Sequence, residues 1–66
     1  MTPEEKKLVL ARMESMPEDL IFVVGARKYK KRDLMVAVLR ETDIGELFVK
    51  IQMTYLRGLK DLWNRN

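Results

Sequence analysis

Apolar and polar positions alternate along this chain with a period that changes from one segment to the next. Val9, Met13, Met16 and Leu20 recur at spacings of 4, 3 and 4 and are joined by Leu10, which is the stripe of an amphipathic helix. Ahead of them, Thr2-Pro3-Glu4-Glu5 has the chemistry of a helix start. Thr2 can accept a bond as N-cap, Pro3 suits the first helical position, and Glu5 stands at capping-box spacing. A helix is predicted from residue 3 to near Ser15, because Pro17 disfavours the helical state at Met16.

The period then changes. Leu20-Ile21-Phe22-Val23-Val24 is a branched and aromatic run stopped by Gly25, and Arg27 to Lys30 can pair back across a two-residue Gly25-Ala26 turn. Glycine at the first central position is what a type II′ turn requires, since that position needs positive φ. The implied register sets Val24 opposite Arg27, Val23 opposite Lys28 and Phe22 opposite Tyr29, with an aromatic pair on one face. The competing reading is a helical or loop connection, because a lone two-stranded ribbon is marginal in water.

A second helix is predicted over about Lys31 to Arg40, with Leu34, Met35, Val38 and Leu39 on its buried side. The run from Glu41 to Glu46 breaks it. Thr42 or Asp43 can cap a third helix from about Ile44 to Trp63, and Asp43 with Glu46 has capping-box spacing. The predicted fold class is therefore α+β: three helices, a short β-hairpin between the first and second, and a long C-terminal helix, all in a single small domain over residues 1–66.

On a helical wheel Ile44, Leu47, Phe48, Ile51, Tyr55, Leu59 and Leu62 of the third helix gather within roughly 120°, which marks a core face. Val49, Met53, Leu56 and Trp63 lie elsewhere on the same wheel, so the helix is apolar on two sides. Either it is central to the domain, or these four residues form a seam with a partner, most simply a second copy across a two-fold axis. Trp63 is the expected anchor, since tryptophan is enriched at interface hot spots.

Composition sharpens that choice. A chain of 66 residues is near the size at which one core only just offsets the entropy of ordering it, and it has neither Cys nor His to staple it. Oligomerisation is the remaining aid. The apolar fraction of 47% and charged fraction of 35% place the chain with folded domains. The longest apolar run is Leu34 to Leu39, which predicts no membrane span, and the acidic start Glu4-Glu5 is no signal peptide, so a cytoplasmic protein is expected.

Catalysis is not expected. There is no His or Cys and a single serine, Ser15, so no nucleophilic triad can be built. The carboxylates Glu41, Asp43 and Glu46 match no calcium loop, and isolated glycines make no phosphate loop. No cofactor, metal or small-molecule substrate is predicted.

The remaining chemical signal is Arg27, Lys28, Tyr29, Lys30, Lys31 and Arg32, without whose five positive charges the net +3 becomes −2. In the hairpin register Lys28 and Lys30 share a face with Ile21 and Val23, while Arg27 and Tyr29 share the other. Lys31 and Arg32 fall in the first turn of a helix, where the macrodipole disfavours cations. Three readings compete: a solvated or aggregation-blocking ribbon edge with nearby carboxylates in attendance, a phosphate contact for nucleic acid with Tyr29 as stacking group, and a contact for an acidic protein or lipid headgroup. The functional expectation is a non-enzymatic interaction module, a homodimer or one docking through the long helix. The alternative is a nucleic-acid-binding accessory protein using residues 27–32.

Overall fold

The computed structural model describes the backbone of residues 1–63 and the side chains of residues 1–58. Helix α1 spans Pro3–Glu14, β1 Ile21–Val24, β2 Arg27–Lys30, α2 Lys31–Leu39 and α3 Asp43–Trp63, which is the expected α+β order. The start of α1 is closed in both directions. The Glu5 N–H donates to Thr2 Oγ1 at 3.1 Å and the Thr2 N–H donates to Glu5 Oε1 at 2.9 Å.

That second bond holds the Glu5 carboxyl below its ordinary value of 4.5. A carboxyl lowered on folding contributes stability that is present above the unfolded value and lost as pH falls through the folded one. Glu5→Gln is therefore expected to be less stable than the parent at pH near neutral. The gap in thermal midpoint should close as the solution is acidified below the unfolded value, a trend that melting curves across the acid limb read directly.

The hairpin has the expected register, Ile21↔Lys30, Phe22↔Tyr29, Val23↔Lys28 and Val24↔Arg27. Gly25 carries a φ of 63° and Ala26 does not, the φ pattern of a type II′ turn. Phe22 and Tyr29 share the inner face, and both pack against the core. The ring partner of Phe22, however, is Phe48 of α3, with centroids 5.5 Å apart and planes at 84°. This edge-to-face contact, rather than a cross-strand aromatic pair, is what ties the ribbon to the helices.

Between α2 and α3 the chain turns through a Schellman motif, with Thr42 N–H donating to Ala37 O at 3.1 Å and Glu41 N–H to Val38 O at 3.1 Å. Glu41 takes the left-handed position with φ 53°, where glycine is the usual occupant. Thr42, and not Asp43, caps α3: its Oγ1 accepts from the Gly45 N–H at 3.3 Å. Glu46 is thereby left to bind elsewhere, and its Oε2 takes the Met1 ammonium at 2.7 Å, a bond that raises the pKa of that ammonium.

The core joins Val9 and Met13 of α1, Val24 of β1, Leu34 and Val38 of α2, and Phe48 and Val49 of α3. Two expectations of the wheels are corrected. Leu39 is 55% exposed, because α2 turns Ala37 and Lys31 inward with Leu34 and Val38.

Helix α3 is rotated from its expected setting. Leu47, Ile51 and Tyr55 are exposed, whereas Phe48 and Val49 are each 2% exposed and Met53 packs behind them. Gly45 supplies the physical reason. Its backbone lies directly against the Ala37 carbonyl of α2, so the α2–α3 crossing is at the glycine. The side chains one and two turns on from Gly45 then point inward.

Candidate functional site

Residues 27–32 do not act as one patch. Lys31 is 4% exposed, and its Nζ donates to Met16 O at 2.8 Å, Glu14 O at 3.3 Å and Glu18 Oε1 at 3.2 Å. The two carbonyls belong to the last turn and exit of α1, where a helix presents unpaired acceptors and partial negative charge. The cation that opposes the dipole of α2 thus caps the C-terminus of α1. Lys31 is withdrawn from any surface anion site because all three of its donors are already used inside the fold.

The other basic side chains stay outside. Arg27, Lys28, Lys30 and Arg32 are exposed, and among the described residues none makes an ion pair. Three acidic residues are engaged elsewhere: Glu18 with Lys31, Glu41 with Lys6 at 3.0 Å, and Asp33 with the Lys30 N–H at 3.4 Å. A lysine offers no acceptor, so α2 begins without a side-chain N-cap bond. Lys28 and Lys30 stand on the outer face beside exposed Val23 and Ile21, and Tyr29 is half-buried on the inner one.

The second surface is on α3. Of the four residues expected at a partner seam, Val49 is buried in the core, Met53 packs against it and Leu56 is half-buried; the Trp63 side chain lies outside the described residues. The apolar stripe facing outward is instead Leu47, Ile51 and Tyr55, exposed by 41, 45 and 57%. A shallow groove of about 280 Å³ is lined by Leu47, Lys50, Ile51 and Thr54. Their spacing of i, i+3, i+4 and i+7 is that of the four residues forming a hole for a knob from a facing helix.

No family model, curated protein or solved structure matches this chain. The hydroxyl of Ser15 donates to Arg12 O at 2.9 Å at the end of α1, a capping bond. Among the described residues no three His, Cys, Asp or Glu side chains come together as a metal would need, and no helix is long and apolar enough to cross a membrane.

Proposed function

We propose that the protein is a non-enzymatic interaction module that self-associates through α3, two copies packing antiparallel across a two-fold axis near Ile51. The observation that carries this reading is the four-residue hole at Leu47, Lys50, Ile51 and Thr54 on a helix whose outer stripe also supplies the knobs. In the antiparallel arrangement Ile51 meets its own copy and Leu47 meets Tyr55, so one face serves as both halves of the interface.

The length of α3 supports a partner. Met53 is its last side chain packed against the core among the described residues, yet the helix runs on to Trp63, a further ~15 Å. Isolated helix of that length is marginal in water, and a second copy of α3 gives it a surface to lie on. The small core of a chain without cysteine, and so without disulfide staples, argues in the same direction.

Sedimentation equilibrium tests this. The parent is expected to show a reversible monomer–dimer equilibrium in the micromolar to near-millimolar range. Ile51→Lys should weaken it by at least roughly 100-fold, since the substitution removes a buried side chain from both halves of a symmetric contact. Leu39→Lys, on exposed α2 surface, should leave the equilibrium unchanged. A parent that stays monomeric at the highest concentration, or an Ile51→Lys protein that still dimerises, contradicts the proposal.

A further inference from the structure

The hairpin presents a second surface, of a different chemistry. On its outer face the cross-strand pairs Ile21↔Lys30 and Val23↔Lys28 set an apolar row on β1 beside a cationic row on β2. Val23 is 68% and Ile21 53% exposed, so this face covers nothing within the domain. The lysines have no carboxylate partner among the described residues, and Arg27 and Arg32 extend the same unneutralised charge. Such a surface calls for a partner that is anionic at regular intervals and apolar between them.

A shallow depression of about 430 Å³ reaches from this face to the edge of β2, lined by Ile21, Lys28, Tyr29, Lys30 and Asp33. On the outer face it combines apolar contact from Ile21, two ammonium groups, and one carboxylate. The carboxylate distinguishes among anionic partners. Its Oδ2 takes the Lys30 N–H, and its Oδ1 can accept from the amino and imino groups of a nucleobase, donors that an acidic side chain or a lipid phosphate does not offer, while Lys28 and Lys30 hold the flanking phosphates. Their backbone positions are about 6.6 Å apart along the strand, which suits successive phosphates of an extended strand. Among the described residues no helix carries a row of base-reading side chains for a duplex groove.

We infer that the outer face of the β1–β2 hairpin binds single-stranded nucleic acid, with Lys28 and Lys30 on phosphates and a base seated against Ile21. The contact is weak in sequence preference and salt-dependent. With two phosphates engaged and a slope of about −0.7 per phosphate for single strands, affinity should fall about 7-fold between 50 and 200 mM salt.

The test is fluorescence anisotropy with labelled oligothymidine, oligouridine and a mixed-sequence duplex, titrated with the full chain at both salt concentrations. Single strands should bind more tightly than the duplex and show that salt slope. The double substitution Lys28→Glu and Lys30→Glu, both exposed, should abolish binding with the circular dichroism spectrum unchanged, and Val23→Ser should weaken it with the slope retained. Ile51→Lys, on the α3 surface, should retain binding by each chain, which separates this inference from self-association. Absence of binding to any oligonucleotide at the lower salt overturns the inference, as does equal or tighter binding of the duplex. Binding to phosphatidylserine vesicles or to polyglutamate in preference to single strands overturns it as well.

Discussion

Gly45→Ala is expected to lose about 3 kcal/mol of stability or more, although alanine is the better helix former by about 1 kcal/mol. A Cβ at this position would fall on the Ala37 carbonyl oxygen, 2.5 Å from its carbon and 2.9 Å from Val38 N. All three atoms are backbone, so no rotamer change makes room. Helices α2 and α3 would have to separate, and with them the contacts of Leu34 and Val38 with Phe48 and Val49. For a domain of this size total stability is about 3–10 kcal/mol, so the substitution should lower the melting temperature by well over 10 °C or prevent folding.

Gly58 is the internal control. A Cβ there meets nothing within 4 Å, and the position is exposed on the same helix. Gly58→Ala should therefore stabilise the protein by up to about 1 kcal/mol. Opposite signs for the same substitution on one helix would localise the effect to the α2–α3 crossing. Equal signs in thermal or urea unfolding would mean that the two helices do not meet at Gly45.

The second large effect is expected at Lys31. Lys31→Met keeps most of the side-chain volume but leaves the Glu14 and Met16 carbonyls without their donor in a part-buried setting. Orphaned buried acceptors cost about 1–3 kcal/mol each, and the favourable placement of a cation at the end of α1 is lost too. Glu18 recovers water easily, being 88% exposed, so its lost pairing adds little. A net loss of about 2–4 kcal/mol is expected. Lys30→Met, one residue away with an exposed ammonium, should change stability by less than about 0.5 kcal/mol. If the two substitutions cost the same in urea unfolding, Lys31 does not bolt α1 to α2.

These two positions also show where the sequence was legible. Helix starts and the hairpin register were, because each is written in local chemistry: Thr2 and Glu5 for α1, Gly25 with the flanking strand residues for the ribbon. The rotation of α3 was not. Its apolar residues cover more than half of the wheel, so periodicity alone could not choose between Ile51 and Val49 as the inward side. Gly45 was the available signal, since a glycine inside a helix permits the close approach of another backbone, although Gly58 on the same helix is approached by nothing within 4 Å.

The basic segment was legible as an anomaly and not in its cause. Cations in the first turn of α2 break the dipole rule, and that much is visible at Lys31 and Arg32. The carbonyls that compensate Lys31 lie 15 and 17 residues earlier, at the end of a different helix, a separation that no local pattern encodes. The functional expectation at residues 27–32 narrows in consequence to the side chains of Arg27, Lys28, Tyr29, Lys30 and Arg32 around the hairpin.

The central claim is that α3 is an antiparallel interface centred on Ile51, and dipolar electron paramagnetic resonance between spin labels tests it most directly. Labels attached at Arg57→Cys and, in a separate protein, at Asp43→Cys, both exposed and outside the four-residue hole, would each be measured against the same position in the second copy. With a rise of 1.5 Å per residue and helix axes 8–10 Å apart, backbone separations of about 20 Å at residue 57 and about 26 Å at residue 43 are predicted. Equal separations at the two positions, or no dipolar coupling between copies at concentrations near millimolar, would contradict the account.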